Sequence, residues 1–237
     1  MATADRSSNS RRAGGAVGQF LRAPVRIQTY KNLLYLALAF PLGLIYFVGI
    51  VVGLSLGTSL LITLVGVPLL VGTLLGATAL AGVEAALATY LAGVETPLPA
   101  ALRGFEPENR LALPDGDPVD VLEQFLTAPT TWTSLVVVAI KFGFGIASFV
   151  ALVTVGSVTG AALLAPLLYD QSTIVLLAEE IVVAGEYTVG PWAVETLPEA
   201  LAVAAGGVVL LFAGLNALNA LAYAHARVTA ALLRVGE

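Results

Sequence analysis

The chain has 237 residues, of which 58% are hydrophobic and only 11% are charged, and its mean hydropathy is +0.91. These values exclude an ordinary soluble domain and indicate an integral membrane protein. The absence of cysteine excludes disulfides and thiolate metal sites, and a single histidine, His225, excludes a histidine-cluster metal site. Sixteen acidic residues against eleven basic ones suggest a salt-loving source organism.

The N-terminal segment is polar and basic. Residues 1–15 are rich in Ser, Arg and Gly and have no apolar periodicity, which predicts a disordered tail. A short amphipathic segment follows and ends at Pro24, in the sequence Phe-Leu-Arg-Ala-Pro. Because basic residues near membrane ends stay in the cytoplasm, the N-terminus is predicted to be cytoplasmic. The basic residues in question are Arg6, Arg11, Arg12, Arg22, Arg26 and Lys31.

The run from Asn32 to Val94 contains no charge before Glu84. A membrane helix needs about 20 apolar residues, so this run predicts two crossings, at about 32–53 and 58–81, the second extending to 92. Residues 53–59 carry Gly, Ser and Thr and are predicted to form the hairpin between them. The sequence leaves open whether 58–66 begins the second crossing or forms a short helix on the outer face.

A polar segment separates this run from the second half of the chain. Residues 95–117 are polar and rich in proline, which predicts a linker, and the two crossings before it place this linker in the cytoplasm. Asp117 and Pro118 are a good N-cap and first helical residue, and they predict a second short interfacial helix.

The second half repeats the first with an offset of 102 residues. Phe40, Gly43 and Phe47 correspond in this way to Phe142, Gly145 and Phe149. The Phe-Leu-x-Ala-Pro sequence also recurs, just before the third crossing. The copies are predicted to be residues 16–94 and 118–237, both starting in the cytoplasm and therefore parallel.

The second copy predicts two further crossings, at about 133–155 and 199–222. Residues 157–166 have the same two interpretations as 58–66. The fourth crossing is followed by Arg227 and Arg234, which predict a cytoplasmic C-terminus. The fold class is therefore an all-α membrane protein with four transmembrane helices.

Residues 169–198, here called the cap, interrupt the second copy. The cap has no Lys or Arg, as expected of an extracellular loop, and its β-branched residues predict short strands. Its acidic residues could bind a divalent cation, although no EF-hand spacing supports this and an acidic salt-adapted surface explains them equally. The candidate residues for a ligand or signal are Asp170, Glu179, Glu180, Glu186, Trp192 and Glu195.

Two charged residues lie within predicted crossings. Lys141 falls about two turns into the third crossing, and an intramembrane charge is a candidate functional group. Two interpretations are open: Lys141 extends to the headgroups, or it pairs with Glu84, which lies at a similar depth.

Three other polar residues accompany the fourth crossing. Asn216 and Asn219 share a helical face and could line a ligand cavity, although such residues more often hydrogen-bond a neighbouring helix. His225 could respond to cytoplasmic pH, but an interfacial side chain is the simpler interpretation.

Taken together, these blocks resemble the putative sensor domain family, which occurs at the N-terminus of bacterial sensor histidine kinases and as stand-alone modules in haloarchaea. The similarity covers about residues 18–235. It depends on the Phe-Leu-Arg-Ala-Pro block, the Gly-Leu-Ser-Leu-Gly block at 53–57, Lys-Phe-Gly-Phe-Gly at 141–145 and Val-Glu-Thr-Leu-Pro-Glu-Ala at 194–200. The resemblance implies a sensor without its own kinase output domain, which would signal through a separate partner.

No phosphate-binding loop, nucleophile elbow, metal-binding motif or nucleic-acid-binding pattern is present in the sequence. We therefore expect neither an enzyme nor a cofactor. The leading hypothesis is a membrane signal-input module whose partners are the lipid bilayer and either a signalling protein or further copies of itself. A scaffolding membrane protein is the alternative, and a small transporter is a third hypothesis, disfavoured by the parallel repeats.

Overall fold

The computed structural model describes residues 20–63, 65–98, 127, 129–169, 173–177, 180–184, 188–189 and 192–235. Its helices are α1 (Ile27–Ser59), α2 (Gly66–Tyr90), α3 (Pro129–Leu168) and α4 (Leu197–Val235). All four are long and apolar enough to cross a membrane. The predicted class, an all-α protein with four membrane-spanning helices, is confirmed.

The turn between α1 and α2 does not lie where the glycines predicted it. Residues 53–59 belong to α1, and the chain reverses instead through the 3₁₀ helix Leu60–Thr63. Gly53 and Gly57 face α2, where any Cβ would overlap the side chains of Thr73 and Leu70. These glycines therefore permit close helix packing rather than a turn.

Residues 58–66 and 157–166, each of which could have belonged to a crossing or to a short helix on the outer face, have different structures. Residues 58–66 contain the end of α1, the 3₁₀ turn and the first residue of α2. Residues 157–166 are helical throughout and belong to α3, which continues to Leu168. The 40 residues of α3 correspond to about 60 Å of helix, about twice the ~30 Å thickness of a hydrocarbon core.

The chain divides into two compact units. One comprises Ile27–Val150 with Leu218–Glu237, and the other comprises Met1–Arg26 with Ala151–Ala217. In the first unit, α1 and α2 form an antiparallel hairpin. One buried cluster joins this hairpin to α3 through Tyr46, Ile50, Ala77 and Val138.

The first unit also contains a close crossing of α1 and α3. A Cβ on Gly43 would lie 3.0 Å from the carbonyl oxygen of Lys141, and one on Gly145 would lie 2.6 Å from that of Ala39. The flanking rings stack in a reciprocal way, with ring centroids 4.9 Å apart for Phe40 and Phe149 and 4.6 Å apart for Phe47 and Phe142. Each contact therefore has a counterpart at the repeat offset of 102 residues.

The order of these contacts gives the direction of the helices. Later residues of α1 contact earlier residues of α3, so the two helices pass each other in antiparallel orientation. This differs from the parallel repeats that the flanking charges predict. Glycines allow two backbones to approach closely in either orientation, so the Phe-x-x-Gly sequence does not itself determine direction.

In the second unit, the remaining parts of α3 and α4 pack through small residues. Gly207 faces Ala162, and Gly214 faces Val155. The helix start at Leu197 is capped reciprocally. The Glu199 carboxylate accepts the amide N–H groups of Glu195 and Thr196 at 3.0 and 3.2 Å, and the Thr196 hydroxyl accepts the Glu199 N–H at 3.4 Å.

The cap contains two pairs of short strands, and the first pair lies at β-branched segments that predicted strands. β1 (Thr173–Leu177) pairs with β2 (Glu180–Ala184), and β3 (Thr188–Val189) pairs with β4 (Trp192–Ala193), both antiparallel. The predicted tail, the second interfacial helix and most of the linker lie outside the described residues. The described end of the first interfacial segment contains the 3₁₀ helix Ala23–Val25.

Candidate functional site

The most unusual feature of the described residues is an ion pair buried between apolar helices. Glu84 lies near the end of α2, and Lys141 lies on the face of α3 that packs against α1 and α2. The Lys141 Nζ is 2.5 Å from the Glu84 Oε2, and the two side chains are 1% and 0% exposed. The predicted pairing is confirmed, whereas the alternative in which Lys141 extends to the headgroups is wrong.

The close crossing at Gly43 positions this pair. Because Gly43 has no side chain, α1 approaches the backbone of Lys141 itself. Tyr35, two turns earlier on α1, then brings its ring below the ammonium group, with the Lys141 Nζ 4.6 Å from the ring centroid. A cation held over an aromatic face is stabilised by the ring quadrupole, more so where water is excluded.

His225 on α4 completes a group of four residues, here called the buried cluster, together with Glu84, Lys141 and Tyr35. Its ring lies 5.0 Å from that of Tyr35 and stacks on Phe144 with centroids 4.5 Å apart and planes 6° apart. The histidine is fully buried, so the prediction of an interfacial side chain is wrong. The reason is that α4 continues as a packed helix well past residue 222, where the predicted crossing ended.

Tyr35 was missed by the sequence analysis, although a signal for it exists. Thr29, Asn32 and Tyr35 are spaced by three residues and lie on one face of a helix that is otherwise strongly apolar. All three are buried in the structure. A polar stripe on one face of a membrane helix indicates that the face is covered by protein rather than lipid.

Asn219 connects this stripe to α4. Its amide donates to the Thr29 hydroxyl at 3.1 Å, and its carbonyl oxygen accepts from the Asn32 amide at 2.7 Å. Asn216, in the other unit, donates to the Phe212 carbonyl of its own helix at 2.7 Å and to the Phe20 carbonyl at 3.2 Å. Asn219 therefore bonds a neighbouring helix, as such residues commonly do, rather than lining a cavity.

Three of the six predicted cap residues lie within the described residues. Asp170, Glu179 and Glu186 lie outside the described residues. Glu180 belongs to β2 and Trp192 to β4, while Glu195 is exposed at the start of α4. Within the described ranges, no group of three or more His, Asp and Glu residues could hold a metal ion.

The buried cluster and its surroundings combine one ion pair with several polar groups that have no hydrogen-bond partner in the part of the chain that the structure describes. Glu84 and Lys141 neutralise each other, and both nitrogens of His225 and the hydroxyl of Ser148 are buried without a hydrogen-bond partner among the described residues. A charge at the centre of a membrane helix costs about 2.5–3.5 kcal/mol on insertion scales, and a buried ion pair is often no more stabilising than apolar residues of the same size. Ionisable residues inside membrane helices are candidate functional groups, and the four residues of the buried cluster are the candidates here.

Comparison with known proteins adds one result. The model of a family described as "Putative sensor" matches residues 35–233, which include every member of the buried cluster. No curated protein and no solved structure matches the chain.

Proposed function

Because the chain belongs to the putative sensor family, we propose that it is a membrane signal-input module that acts through a separate partner protein. The observation that carries the proposal is the buried pair of Glu84 and Lys141, together with Tyr35 and His225. Ionisable residues inside membrane helices commonly mark functional sites. The proposed role requires no catalysis by this chain.

The pair supplies an element with two discrete arrangements. When the pair is formed, it holds α2 against α3, close to the point where α1 crosses α3. If the pair separates, each charge needs water or another partner. The helices that carry the two charges, α2 and α3, must then change position relative to each other. Transmission of a signal requires a two-state element of this kind, whose equilibrium both ends of the protein can bias.

The two longest helices connect this pair to the cap. Lys141 lies on α3, 27 residues before this helix ends at Leu168. His225 lies on α4, whose first two residues are the last two of the cap. A ligand that binds the acidic residues of the cap would therefore act on the ends of two continuous helices, each of which carries one member of the buried cluster.

The flanking charges support an orientation for this pathway. Basic residues before α1 and near the end of α4 favour both termini in the cytoplasm, and the absence of Lys and Arg from the cap favours an extracellular position. The cap would receive the signal, and the cytoplasmic ends of the helices would contact the partner.

A complementation experiment in the source organism tests the proposal. A strain lacking the gene would receive the wild-type gene, the neutral double variant Glu84→Gln with Lys141→Met, or the control Val83→Ala, an exposed neighbour of Glu84. Each version would carry a photo-crosslinking residue at Tyr90, which is 77% exposed at the end of α2. Transcript profiles and crosslinked proteins would be compared at equal amounts in the membrane.

We expect the wild type and Val83→Ala to restore the same transcript profile and to crosslink the same partner. The double variant should insert normally but fail to restore the profile. A scaffolding protein would give a different result, because a folded and inserted double variant would then behave as the wild type does.

A further inference from the structure

A second site lies beside the end of α2, apart from the buried cluster. It is a pocket of about 580 Å³, within the ~300–1,000 Å³ typical of small-ligand sites. One wall is the turn that follows α2, and the opposite wall is one face of α4. The lining residues are Gly93, Val94, Glu95, Tyr223, Arg227, Ala230, Ala231 and Arg234.

The turn that forms the first wall is firmly anchored. Gly93 has a φ of 68°, which favours glycine, and the Val94 N–H donates to the Ala88 carbonyl at 3.2 Å. The Gln28 amide of α1 donates to the Leu91 carbonyl at 2.7 Å. The Thr96 N–H also donates to the Thr89 hydroxyl at 3.2 Å. The wall is therefore fixed to both α1 and α2.

The opposite wall presents two arginines on one face. Arg227 and Arg234 are seven residues apart, which is two helical turns or about 10.5 Å. The guanidinium of Arg227 lies over the ring of Tyr223, with its Cζ 4.5 Å from the ring centroid. This stacking orients the planar guanidinium before any ligand arrives. Among the described residues, neither arginine forms an ion pair.

The position of the pocket indicates which anion reaches it. Tyr30 near the start of α1 and Tyr90 at the end of α2, three residues before Gly93, are both largely exposed. Exposed tyrosines at helix ends are typical of the headgroup level of a bilayer. At that level the most abundant anion is the phosphate of the lipid headgroups, and arginine binds phosphate through paired N–H donors.

We propose that this pocket binds a phosphate group, presented by a membrane lipid headgroup between Arg227 and Arg234. The two arginines and Glu95 carry a net charge of +1, which complements the single negative charge of a phosphodiester. Glu95 repels the phosphate itself and can accept a hydrogen bond from a hydroxyl or ammonium group elsewhere on the headgroup. This site does not depend on the proposed signalling function.

Binding would be tested with the purified full-length protein in a non-ionic detergent. The probes would be dioctanoyl phosphatidylglycerol, dioctanoylglycerol, which lacks the phosphate, and inorganic phosphate. Thermal stability as a function of probe concentration would give an apparent affinity, and native mass spectrometry would count bound lipids. The variants would be Arg227→Gln, Arg234→Gln and their combination, with the exposed Arg26→Gln as the matched control outside the pocket.

We expect phosphatidylglycerol, but not dioctanoylglycerol, to stabilise the wild type and the Arg26→Gln control equally. Each pocket arginine variant should weaken binding about tenfold or more, the factor expected for a hydrogen bond between charged groups. Glu95→Gln should have the opposite effect and tighten binding, which keeps the test decisive if an arginine variant folds poorly. Stabilisation by inorganic phosphate with the same dependence on both arginines would support the site and identify free phosphate as its ligand.

Two results would overturn the proposal. One is equal binding of phosphatidylglycerol by the wild type and the double arginine variant. The other is equal stabilisation by phosphatidylglycerol and dioctanoylglycerol, which would show that only the acyl chains are bound.

Discussion

The two halves of α3 have the same apolar composition but different surroundings. In the first half, buried residues recur every three or four positions and form one continuous face, made by Ser134, Val137, Val138, Lys141, Gly145 and Ser148. In the second half, from Ala151 to Leu168, only Thr159 and Ala165 are buried. The charged residue of the helix thus lies in the half that is enclosed by other helices.

The difference between the two halves of α3 follows from what holds membrane helices together. Lipid tails are as apolar as leucine, so apolar side chains alone give membrane helices little reason to associate. Close packing through Gly43 and Gly145 and the pairing of Lys141 with Glu84 supply that reason in the first half. The second half contacts its neighbour through Gly207 and Gly214 and has no such pair among its described residues.

The largest effect we expect concerns the direction in which α3 and α4 cross the membrane, because labelling from outside the cell is all or none. Single cysteines at Ser8, Ser172 and Gly236 would be probed in intact cells with an impermeant thiol reagent, since the natural chain has no cysteine. The flanking charges predict labelling at Ser172 alone. The antiparallel crossing of α1 and α3 predicts labelling at Gly236 instead.

We expect the flanking charges to determine the topology, so that Ser172 alone is labelled. The two outcomes differ in the side on which Arg227 and Arg234 lie, and basic residues near membrane ends are retained in the cytoplasm. The crossing at Gly43 and Gly145 depends on small residues that pack in either direction. Labelling at Gly236 without Ser172 would show that the helix contacts determine the topology.

The next largest effect should come from breaking the buried pair. Lys141→Met leaves the Glu84 carboxylate buried without its partner, and removal of one member of a buried pair typically costs about 3–5 kcal/mol. The free energy of unfolding in detergent would be measured for this variant and for Val153→Ala, an exposed position in the second half of α3. The control should change by about 0.5 kcal/mol or less.

A double-mutant cycle isolates the interaction between the two charges. Combining Lys141→Met with Glu84→Gln removes both charges, so the double variant should be considerably more stable than the sum of the single losses predicts. Additive losses would mean that the two residues do not interact, and the buried pair would lose its place in the proposed function.

A smaller effect should follow from filling the helix crossing. Gly145→Ala places a methyl group 2.6 Å from the Ala39 carbonyl oxygen, and such overpacking typically costs about 1–3 kcal/mol. Gly143→Ala, two residues away, meets nothing within 4 Å. It should be neutral or stabilise the helix by up to about 1 kcal/mol. Equal thermal stability of the two variants would contradict the close crossing.

Much of the fold could be read from composition and hydropathy, because the length of an apolar run directly reflects the thickness of a bilayer. The pairing of Glu84 and Lys141 also followed from matched depth, since an unpaired charge is costly in lipid. The turn at 60–65 could not be predicted in this way, because Gly53 and Gly57 are typical both of turns and of close helix packing. The burial of His225 depended on how far α4 packs beyond residue 222, which its sequence does not indicate.

The smallest effect on stability should come from removing the cap. The described part of the cap that packs into its unit is short: Val194 is buried against Ala165 and Ala200, and Thr196 caps α4 together with Glu199. Replacing residues 170–193 with a short Gly/Ser linker keeps these contacts. Because loop closure costs depend only weakly on length, the free energy of unfolding in detergent should change by about 1 kcal/mol or less.

The same replacement should abolish the response in the complementation experiment, because it removes the acidic residues proposed to receive the signal. Loops on a stable scaffold often carry function for this reason. A control that retains residues 170–193 but replaces the exposed Val51 and Val52 of α1 with leucine should leave the response intact. If the shortened protein fails to fold, the cap belongs to the structural core, and the proposal that it receives the signal loses its main support.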